Sequence, residues 1–342
     1  MTEPAISQVT TSQAVTSQAV TFHVATLLCD PGFPSLADRH LTRARNILEA
    51  PQEPVWLDKG IAADIVFAPT GTVDSRMLAE KLRAAIADTQ IDVIVQPVEG
   101  RRKKLLFIEM DKVLIGQNTL DEIATVIGCV PQLAEIRARF AAGATTYSAG
   151  LREFFALLQG RRTDCLSQVL GKKLAMTPGA RVLAETMRAN GATAALATCG
   201  FSCFAGPVAD KAGIKEILAN RLILESNKIE VMAEPVLDPE SKREELGRLV
   251  TAQAISYGEV VAVAHDTSDM RLLAQVGMGV AFRAETPETA PARIDRGDLT
   301  ALLYLQGYRR EDFVTEARRS LDASDWKRKY GAYEKSHERT RL

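Results

Sequence analysis

Apolar and polar positions first form a regular pattern at Phe22, after a polar tail that repeats the unit Thr-Ser-Gln-Ala-Val. This tail, residues 1–21, cannot bury enough apolar surface to offset its ordering entropy, so we predict that it is disordered. From Phe22 onward the spacing predicts strand, helix, strand, strand, helix and strand. The predicted ranges are 23–29, 36–49, 55–57, 64–68, 73–88 and 91–98. This order is typical of a ferredoxin-like domain, here residues 22–99.

The second part of the chain has a different pattern. A basic linker and a continuous apolar strand, 105–108, lead to Glu109-Met110-Asp111, and four helical segments follow. After Pro178 helices and strands alternate, which indicates a doubly wound α/β domain with a parallel sheet, over residues 100–313. The helical segments predict an inserted cap at about 117–177, above the strand ends where such sheets bind ligands. The charged residues 314–342 predict a C-terminal tail.

Composition and charge exclude several classes of protein. The 43 acidic and 42 basic residues nearly cancel, so no field of one sign is available to bind nucleic acid or an anionic membrane. No apolar run approaches the ~18 residues of a membrane span, and no secretory signal is recognisable. Five cysteines without a C-x-x-C pair fit a reduced compartment. We therefore expect a cytoplasmic protein, for which a homodimer through the strand edges of the first domain stays open.

A strand that ends in acid-x-acid and precedes a helical cap resembles the phosphatases of the haloacid dehalogenase (HAD) superfamily. Three stretches narrow the resemblance to the phosphoserine phosphatase branch. Residues 110–117 resemble its first motif, and residues 198–201 (Thr-Cys-Gly-Phe) resemble its Ser-Gly-Gly-Phe motif. Residues 297–308 resemble the C-terminal signature of bacterial members with an N-terminal ACT-type domain. The resemblance implies a HAD-type sheet, an ACT-type first domain, Mg²⁺ as cofactor, and phosphoserine hydrolysis in serine biosynthesis.

The catalytic positions of the family are only partly kept. Its nucleophile is an aspartate that becomes an aspartyl phosphate, and this chain has Glu109 there. The extra methylene displaces the carboxylate by roughly 1 Å, which can lower a rate by about 10²-fold. Asp111 matches the general acid/base, or it accepts backbone N–H bonds in its loop. The next two positions, serine and threonine in the family, are Lys112 and Val113; Lys112 either pairs with Glu109 or Asp111 in place of a metal, or points to solvent.

The family reads its substrate with a cap glutamate and a cap arginine, which correspond to Asn118 and Phe154. An arginine clamp is strong and specific, and Phe154 cannot replace it. Arg152 could swing into its place, and Phe154 could simply belong to the core of the cap. We expect that phosphoserine is not bound in the family's manner.

The phosphate-binding positions correspond to Thr198, Cys199, Gly200 and Lys242. Backbone N–H groups at a turn from strand to helix form an anion site, which Cys199 would crowd. A thiol at a helix N-terminus can have a lowered pKa, which leaves a redox pair with Cys203 open. Lys242 matches the phosphate-binding lysine, with a solvated lysine as the alternative.

The last family motif, Gly-Asp-Gly-x-Asn-Asp, is Ala-His-Asp-Thr-Ser-Asp at residues 264–269. The Mg²⁺-binding aspartate has become His265, and imidazole suits zinc, manganese or iron better than magnesium. Asp266 could substitute after a shift of one residue, and Asp269 is kept. Mg²⁺, another divalent metal and no metal all stay open. The candidate metal ligands are Glu109, Asp111, His265, Asp266 and Asp269.

The number of substitutions in one cleft favours a pseudo-phosphatase that binds a small phosphorylated or amino-acid ligand or a partner protein. The alternative is an active phosphomonoesterase with an altered metal or substrate. In that case Glu109 attacks or activates water, Asp111 is the acid/base, and Lys242 clamps phosphate. An ordinary phosphoserine phosphatase follows from the resemblance alone and is disfavoured at Glu109 and Phe154.

Overall fold

The computed structural model describes residues 21–171, 174–284 and 290–314. The predicted N-terminal tail, apart from Thr21, and the predicted C-terminal tail, apart from Val314, lie outside the described residues. Within these ranges the chain forms a four-stranded sheet, a six-stranded sheet and a two-stranded hairpin. No helix in the described ranges has both the length and the apolar character needed to cross a membrane.

The first sheet has the ferredoxin-like strand order β2-β3-β1-β4, and its described neighbours are antiparallel, which confirms the predicted fold. Its elements are β1 (His23–Leu28), α1 (Asp38–Arg45), β2 (Val55–Asp58), β3 (Ala62–Phe67), α2 (Ser75–Ile86) and β4 (Asp92–Pro97). Side chains alternate along each strand. Leu27 packs in the core that contains Leu82 of α2, whereas Leu28 packs in the core of the second domain. Both faces of this sheet are therefore buried.

The second domain has a six-stranded parallel sheet in the order β12-β11-β10-β5-β6-β7, which confirms the predicted doubly wound α/β fold. The strands are β5 (Leu105–Ile108), β6 (Thr193–Phe201), β7 (Glu216–Asn220), β10 (Val260–Ala264), β11 (Met278–Phe282) and β12 (Ala292–Ile294), with the hairpin β8 (Leu222–Glu225) and β9 (Lys228–Met232). The helices that pack against the sheet are α7 (Ala180–Ala189), α8 (Ser202–Ala212), α9 (Pro239–Ala252) and α10 (Met270–Leu273), whereas α11 (Ala301–Leu305) contacts α7 and β1.

The cap is a group of four helices between β5 and α7. These helices are α3 (Thr119–Ile127), α4 (Val130–Ala141), α5 (Tyr147–Ala156) and α6 (Asp164–Gly171). Asn118 begins α3, since its side chain accepts hydrogen bonds from the backbone N–H groups of Leu120 (3.1 Å) and Asp121 (3.3 Å). Gly128 ends the helix in a left-handed conformation (φ 73°). These local signals place the start of the cap directly after the first strand of the parallel sheet.

The two domains are joined by buried polar contacts. The carboxylate of Asp92 accepts hydrogen bonds from the backbone N–H groups of Asp295 (3.1 Å), Arg296 (2.8 Å) and Gly297 (2.9 Å). The Tyr304 hydroxyl donates to Asp58 at 2.7 Å. Gly297 and Tyr304 both belong to the C-terminal signature singled out in the sequence. That segment therefore forms part of the contact between the domains.

Candidate active site

The candidate site lies at the carboxyl ends of β5, β6 and β10, beneath the cap. A cavity of about 110 Å³ opens there between the sheet and helices α4 and α5. Its floor is polar and its roof is largely apolar. It is lined by Glu109, Asp111, Asn118, Leu120, Leu133, Ile136, Arg137, Phe140, Tyr147, Gly150, Leu151, Phe154, Thr198, Cys199, Gly200, Lys242, Asp266, Ser268 and Asp269.

Lys242 occupies the centre of the floor. Asp238 caps the start of α9 by accepting from the N–H of Ser241 (2.9 Å), which turns Lys242 inward on the first turn. Its ammonium group donates to Oε2 of Glu109 and to Oδ2 of Asp269, the latter at 2.7 Å. Burial alone would lower the pKa of Lys242, but the carboxylates of Asp269 and Glu109 outweigh it and raise the pKa well above its ordinary value. The solvated alternative for this lysine is wrong.

Both oxygens of the Glu109 carboxylate are engaged. Oε1 accepts a hydrogen bond from the backbone N–H of Met110 at 2.9 Å, while Oε2 holds the ammonium group of Lys242. Lys112, by contrast, is exposed and has a left-handed backbone (φ 61°). The suggested pairing of Lys112 with Glu109 is therefore wrong, because the cation on that carboxylate belongs to Lys242.

Asp111 combines both properties considered for it in the sequence. Its carboxyl group accepts hydrogen bonds from the N–H (3.2 Å) and the hydroxyl (3.0 Å) of Thr119. Burial, together with the nearby charge of Glu109, raises the pKa of Asp111 to about 8. At neutral pH this group is therefore mainly protonated, which is the state that a general acid requires.

The predicted metal ligands are not brought together as one set. Nδ1 of His265 lies 3.2 Å from the carbonyl oxygen of Phe282, and His265 is absent from the cavity lining given above, whereas Asp266 belongs to it. Among the described residues no group of three or more His, Cys, Asp or Glu side chains is arranged to hold a metal ion. The Lys242 ammonium group already lies between two of the carboxylates. The residues present thus do not fit the Mg²⁺ that the family resemblance implies.

The three residues predicted to bind an anion through their backbone lie at the end of a strand, just before a helix N-terminus. Thr198, Cys199 and Gly200 lie in the last part of β6, where the register is irregular, and α8 begins only at Ser202. The hydroxyl oxygen of Thr198 accepts from the N–H of Gly200 at 3.1 Å. A Cβ on Gly200 would lie 3.2 Å from Oγ1 of Thr119, so the close approach favours glycine.

The lowered thiol pKa that the redox alternative for Cys199 and Cys203 assumed is not found. Burial raises the pKa of the Cys199 thiol well above its ordinary value and that of Cys203 to about 12. Neither thiol is therefore activated as a thiolate at neutral pH.

On the cap side, the substrate clamp of the family is missing. Phe154 is buried and lines the cavity. Arg152 does not take over, because its guanidinium is exposed and pairs with Glu234 through two hydrogen bonds (2.8 and 2.9 Å). Asn118 is engaged as the cap of α3 and accepts from Nη2 of Arg137 at 3.2 Å.

Among the cavity residues that were missed in the sequence, Arg137 and Tyr147 bring polar groups of the cap to the site. Arg137 lies at the mouth of the cavity and pairs with Asp121 at 2.5 Å. Its signal was its position beside Ile136 on the apolar face of α4, which a helical projection would place toward the cap interior. Tyr147 follows the Thr146 cap of α5 and packs edge-to-face on Phe140 at 5.6 Å between ring centroids. A single aromatic residue at a helix start carries no comparable signal.

Comparisons with known proteins agree with this architecture. The family model for haloacid dehalogenase-like hydrolases matches residues 106–274. The phosphoserine phosphatase of Saccharomyces cerevisiae is 29% identical over 254 residues, which cover 72% of this chain and 82% of the yeast protein. The phosphoserine phosphatase of Albidiferax ferrireducens is 30% identical over 210 residues, which cover 59% of this chain and 89% of that protein.

A solved structure extends the likeness to most of the chain. A HAD family hydrolase from Salmonella enterica serovar Typhi matches with a TM-score of 0.73 at 17% identity, over 83% of this chain and 98% of that one. This match shows a shared fold. The sequence matches place the chain among the haloacid dehalogenase-like hydrolases, as a member of the phosphoserine phosphatase type.

Proposed function

We propose that this phosphoserine phosphatase-like protein no longer hydrolyses phosphate esters and acts by binding a ligand in the cleft between sheet and cap. The observation that carries the proposal is the position of Lys242, whose ammonium group bridges Glu109 and Asp269. An attacking carboxylate needs a lone pair that is directed at phosphorus. The hydrogen-bond donors on both oxygens of Glu109 instead hold its carboxylate, which sits on one more methylene than an aspartate carboxylate, in a fixed orientation.

The charge of the cleft supports the same conclusion. A phosphate ester would bring negative charge next to Glu109, Asp266 and Asp269, with the single ammonium group of Lys242 already shared between two of them. The negative charges of the phosphate and of these carboxylates would repel each other strongly where little water lies between them. The residues present offer no fitting metal site to offset this repulsion. A reduced, cytoplasmic setting belongs to the same proposal and is supported by five cysteines that are all free.

One observation favours a second candidate, an active phosphomonoesterase with an altered substrate. Asp111, with its pKa raised to about 8 by burial and by Glu109, carries a proton at neutral pH. It could donate that proton to a leaving alkoxide while the Glu109 carboxylate attacks phosphorus. This candidate requires the Glu109 carboxylate to direct a lone pair at phosphorus while it stays in contact with Lys242.

Phosphate release from L-phosphoserine distinguishes the two candidates. The native chain would be assayed with Mg²⁺ beside Glu109→Asp, His265→Asp and Phe154→Arg, singly and combined, with Asp111→Asn as the control in each background. We expect no release from the native chain and a gain only when several positions are restored together. Release by the native chain that disappears in Asp111→Asn would overturn the proposal in favour of the second candidate.

A further inference from the structure

The floor of the cleft carries an excess of negative charge. Glu109, Asp266 and Asp269 face the cavity, and the one cation among them, Lys242, is held between two of these carboxylates. The site is therefore short of positive charge.

One acceptor in this floor has no partner. Asp269 is 2% exposed, and while its Oδ2 accepts from Lys242, its Oδ1 has no hydrogen-bond partner among the described residues. A buried carboxylate oxygen without a donor loses its hydration and gains nothing in return. The more exposed carboxylate of Asp266 lines the same cavity. A ligand that brings N–H donors and positive charge could contact the carboxylate of Asp266 directly and would lie beside the buried charge of Asp269.

The roof of the cleft is suited to an apolar cation. Three aromatic residues, Phe140, Tyr147 and Phe154, line the cavity together with aliphatic side chains of α4 and α5. Apolar substituents of such a ligand would be buried against the same surface. A phosphate group would find no donor in this roof apart from Asn118, Arg137 and the Tyr147 hydroxyl.

We propose that the cleft binds a small organic ammonium ion with an apolar substituent, its ammonium group on Asp269 and Asp266 and its substituent under the cap. This inference rests on the proposed function, since it assigns a ligand to the same non-catalytic cleft. An apolar cavity of about 150 Å³ holds benzene. The cavity in this protein is smaller, about 110 Å³, and would take a chain of about four or five carbons.

Arg137 distinguishes two classes of ligand that carry an ammonium group, α-amino acids and plain alkylamines. Its guanidinium lies at the mouth of the cavity, paired with Asp121 and with the amide oxygen of Asn118. An α-amino acid bound by its ammonium group could direct its carboxylate toward Arg137, whereas a plain alkylamine has no group for it. The two sources therefore respond differently to Arg137→Ala.

Calorimetry on the full chain tests the inference, with n-butylammonium, L-valine, neutral butan-1-ol, inorganic phosphate and Mg²⁺ as probes. We expect n-butylammonium or L-valine to bind, and Asp266→Asn to weaken that binding by about tenfold or more, since a charge-assisted bond is lost. Glu244→Gln, which removes an exposed acid of α9, is the matched control and should leave binding unchanged. If L-valine binds and Arg137→Ala weakens its binding, the ligand is an α-amino acid. If n-butylammonium binds and Arg137→Ala leaves its binding unchanged, the ligand is a plain amine.

Three results would overturn the inference: butan-1-ol binding as tightly as n-butylammonium, Asp266→Asn and Glu244→Gln behaving alike, or heat from phosphate or Mg²⁺ with none from either ammonium compound. The phosphate-release assay on the same preparation separates this failure from that of the proposed function. Absence of turnover together with absence of ammonium binding rejects only the ligand, whereas turnover rejects the non-catalytic role itself.

Discussion

The ammonium group of Lys242 lies 2.7 Å from Oδ2 of Asp269, and both side chains are buried. The same ammonium group also contacts Glu109, so one cation holds together two carboxylates from the segments that follow β5 and β10. Removal of one partner from a buried ion pair leaves an uncompensated charge, which is more damaging than loss of a surface pair. The floor of the cleft is thus a structural unit as well as a candidate binding site.

Replacement of this lysine should destabilise the fold. We expect Lys242→Met to lower the free energy of unfolding by about 3–5 kcal/mol at pH 7, because Glu109 and Asp269 would face each other without a cation. Lys112→Met removes the same charge from an exposed position and should change stability by less than about 0.5 kcal/mol. Urea unfolding of both variants checks this prediction. Equal changes in the free energy of unfolding would show that the contacts of Lys242 with Glu109 and Asp269 do not stabilise the fold.

The raised pKa of Asp111 predicts a dependence of stability on pH. Burial and Glu109 raise this pKa to about 8, far above its value in the unfolded chain, so the folded state holds the proton more tightly. Between about pH 4 and pH 8 the unfolded state binds fewer protons, and the contribution of Asp111 to stability falls as the pH rises. Asp269, whose pKa is raised to about 6, acts in the same direction up to that pH.

Asp111→Asn isolates this contribution, since asparagine resembles the protonated acid in shape. We expect the variant to be more stable than the native chain at pH 8, with the difference shrinking toward pH 4. Unfolding midpoints measured across this range, with Glu244→Gln as a control that should follow the native curve, provide the comparison. A difference in stability between Asp111→Asn and the native chain that is the same at every pH would contradict the raised pKa of Asp111.

Gly200 is predicted to be intolerant of a side chain. A Cβ there would meet Oγ1 of Thr119 at 3.2 Å and Oγ1 of Thr198 at 3.3 Å, both in the wall of the cleft. We expect Gly200→Ala to destabilise the chain by about 1–3 kcal/mol through overpacking. Gly116→Ala is the matched control, since a Cβ at Gly116 meets no described atom within 4 Å. Thermal unfolding measures both variants, and an equal change in their melting temperatures would refute the steric argument.

The contact between the domains can be weakened at Asp92. Its carboxylate accepts three backbone N–H groups of the segment from Asp295 to Gly297. Asp92→Asn replaces one acceptor oxygen by a donor that faces these N–H groups, and we expect a loss of about 1–3 kcal/mol. Asp295→Asn, which affects only a partly exposed pair with Arg293, serves as the control and should be near neutral. Limited proteolysis would show increased cleavage between the domains only in the first variant.

The sequence allowed both folds to be predicted, because their signals are local. The cap helix Thr119–Ile127 and the strand Val260–Ala264 carry such local signals, since spacing and caps define their ends within a few residues. Helix α8 was not predicted: it contains Pro207, and its small residues give weak periodicity. The hairpin of β8 and β9 was also missed, because its strands are short and half-exposed.

The site was harder to predict because its contacts are between distant residues. Aligned motifs gave the positions of Glu109 and Lys242, yet their direct contact, and the exposure of Lys112, depend on how α9 packs against the sheet. The exclusion of His265 from the cavity follows from its contact with Phe282 on a neighbouring strand. Such contacts have no counterpart in spacing along the chain.

The central claim is that the bridge of Glu109, Lys242 and Asp269 has replaced phosphoryl chemistry. The most direct measurement is the rate of phosphate release from L-phosphoserine by the native chain at saturating Mg²⁺. We predict a rate equal to that of buffer and unchanged in Asp111→Asn. A sustained rate above buffer that Asp111→Asn abolishes would contradict this account.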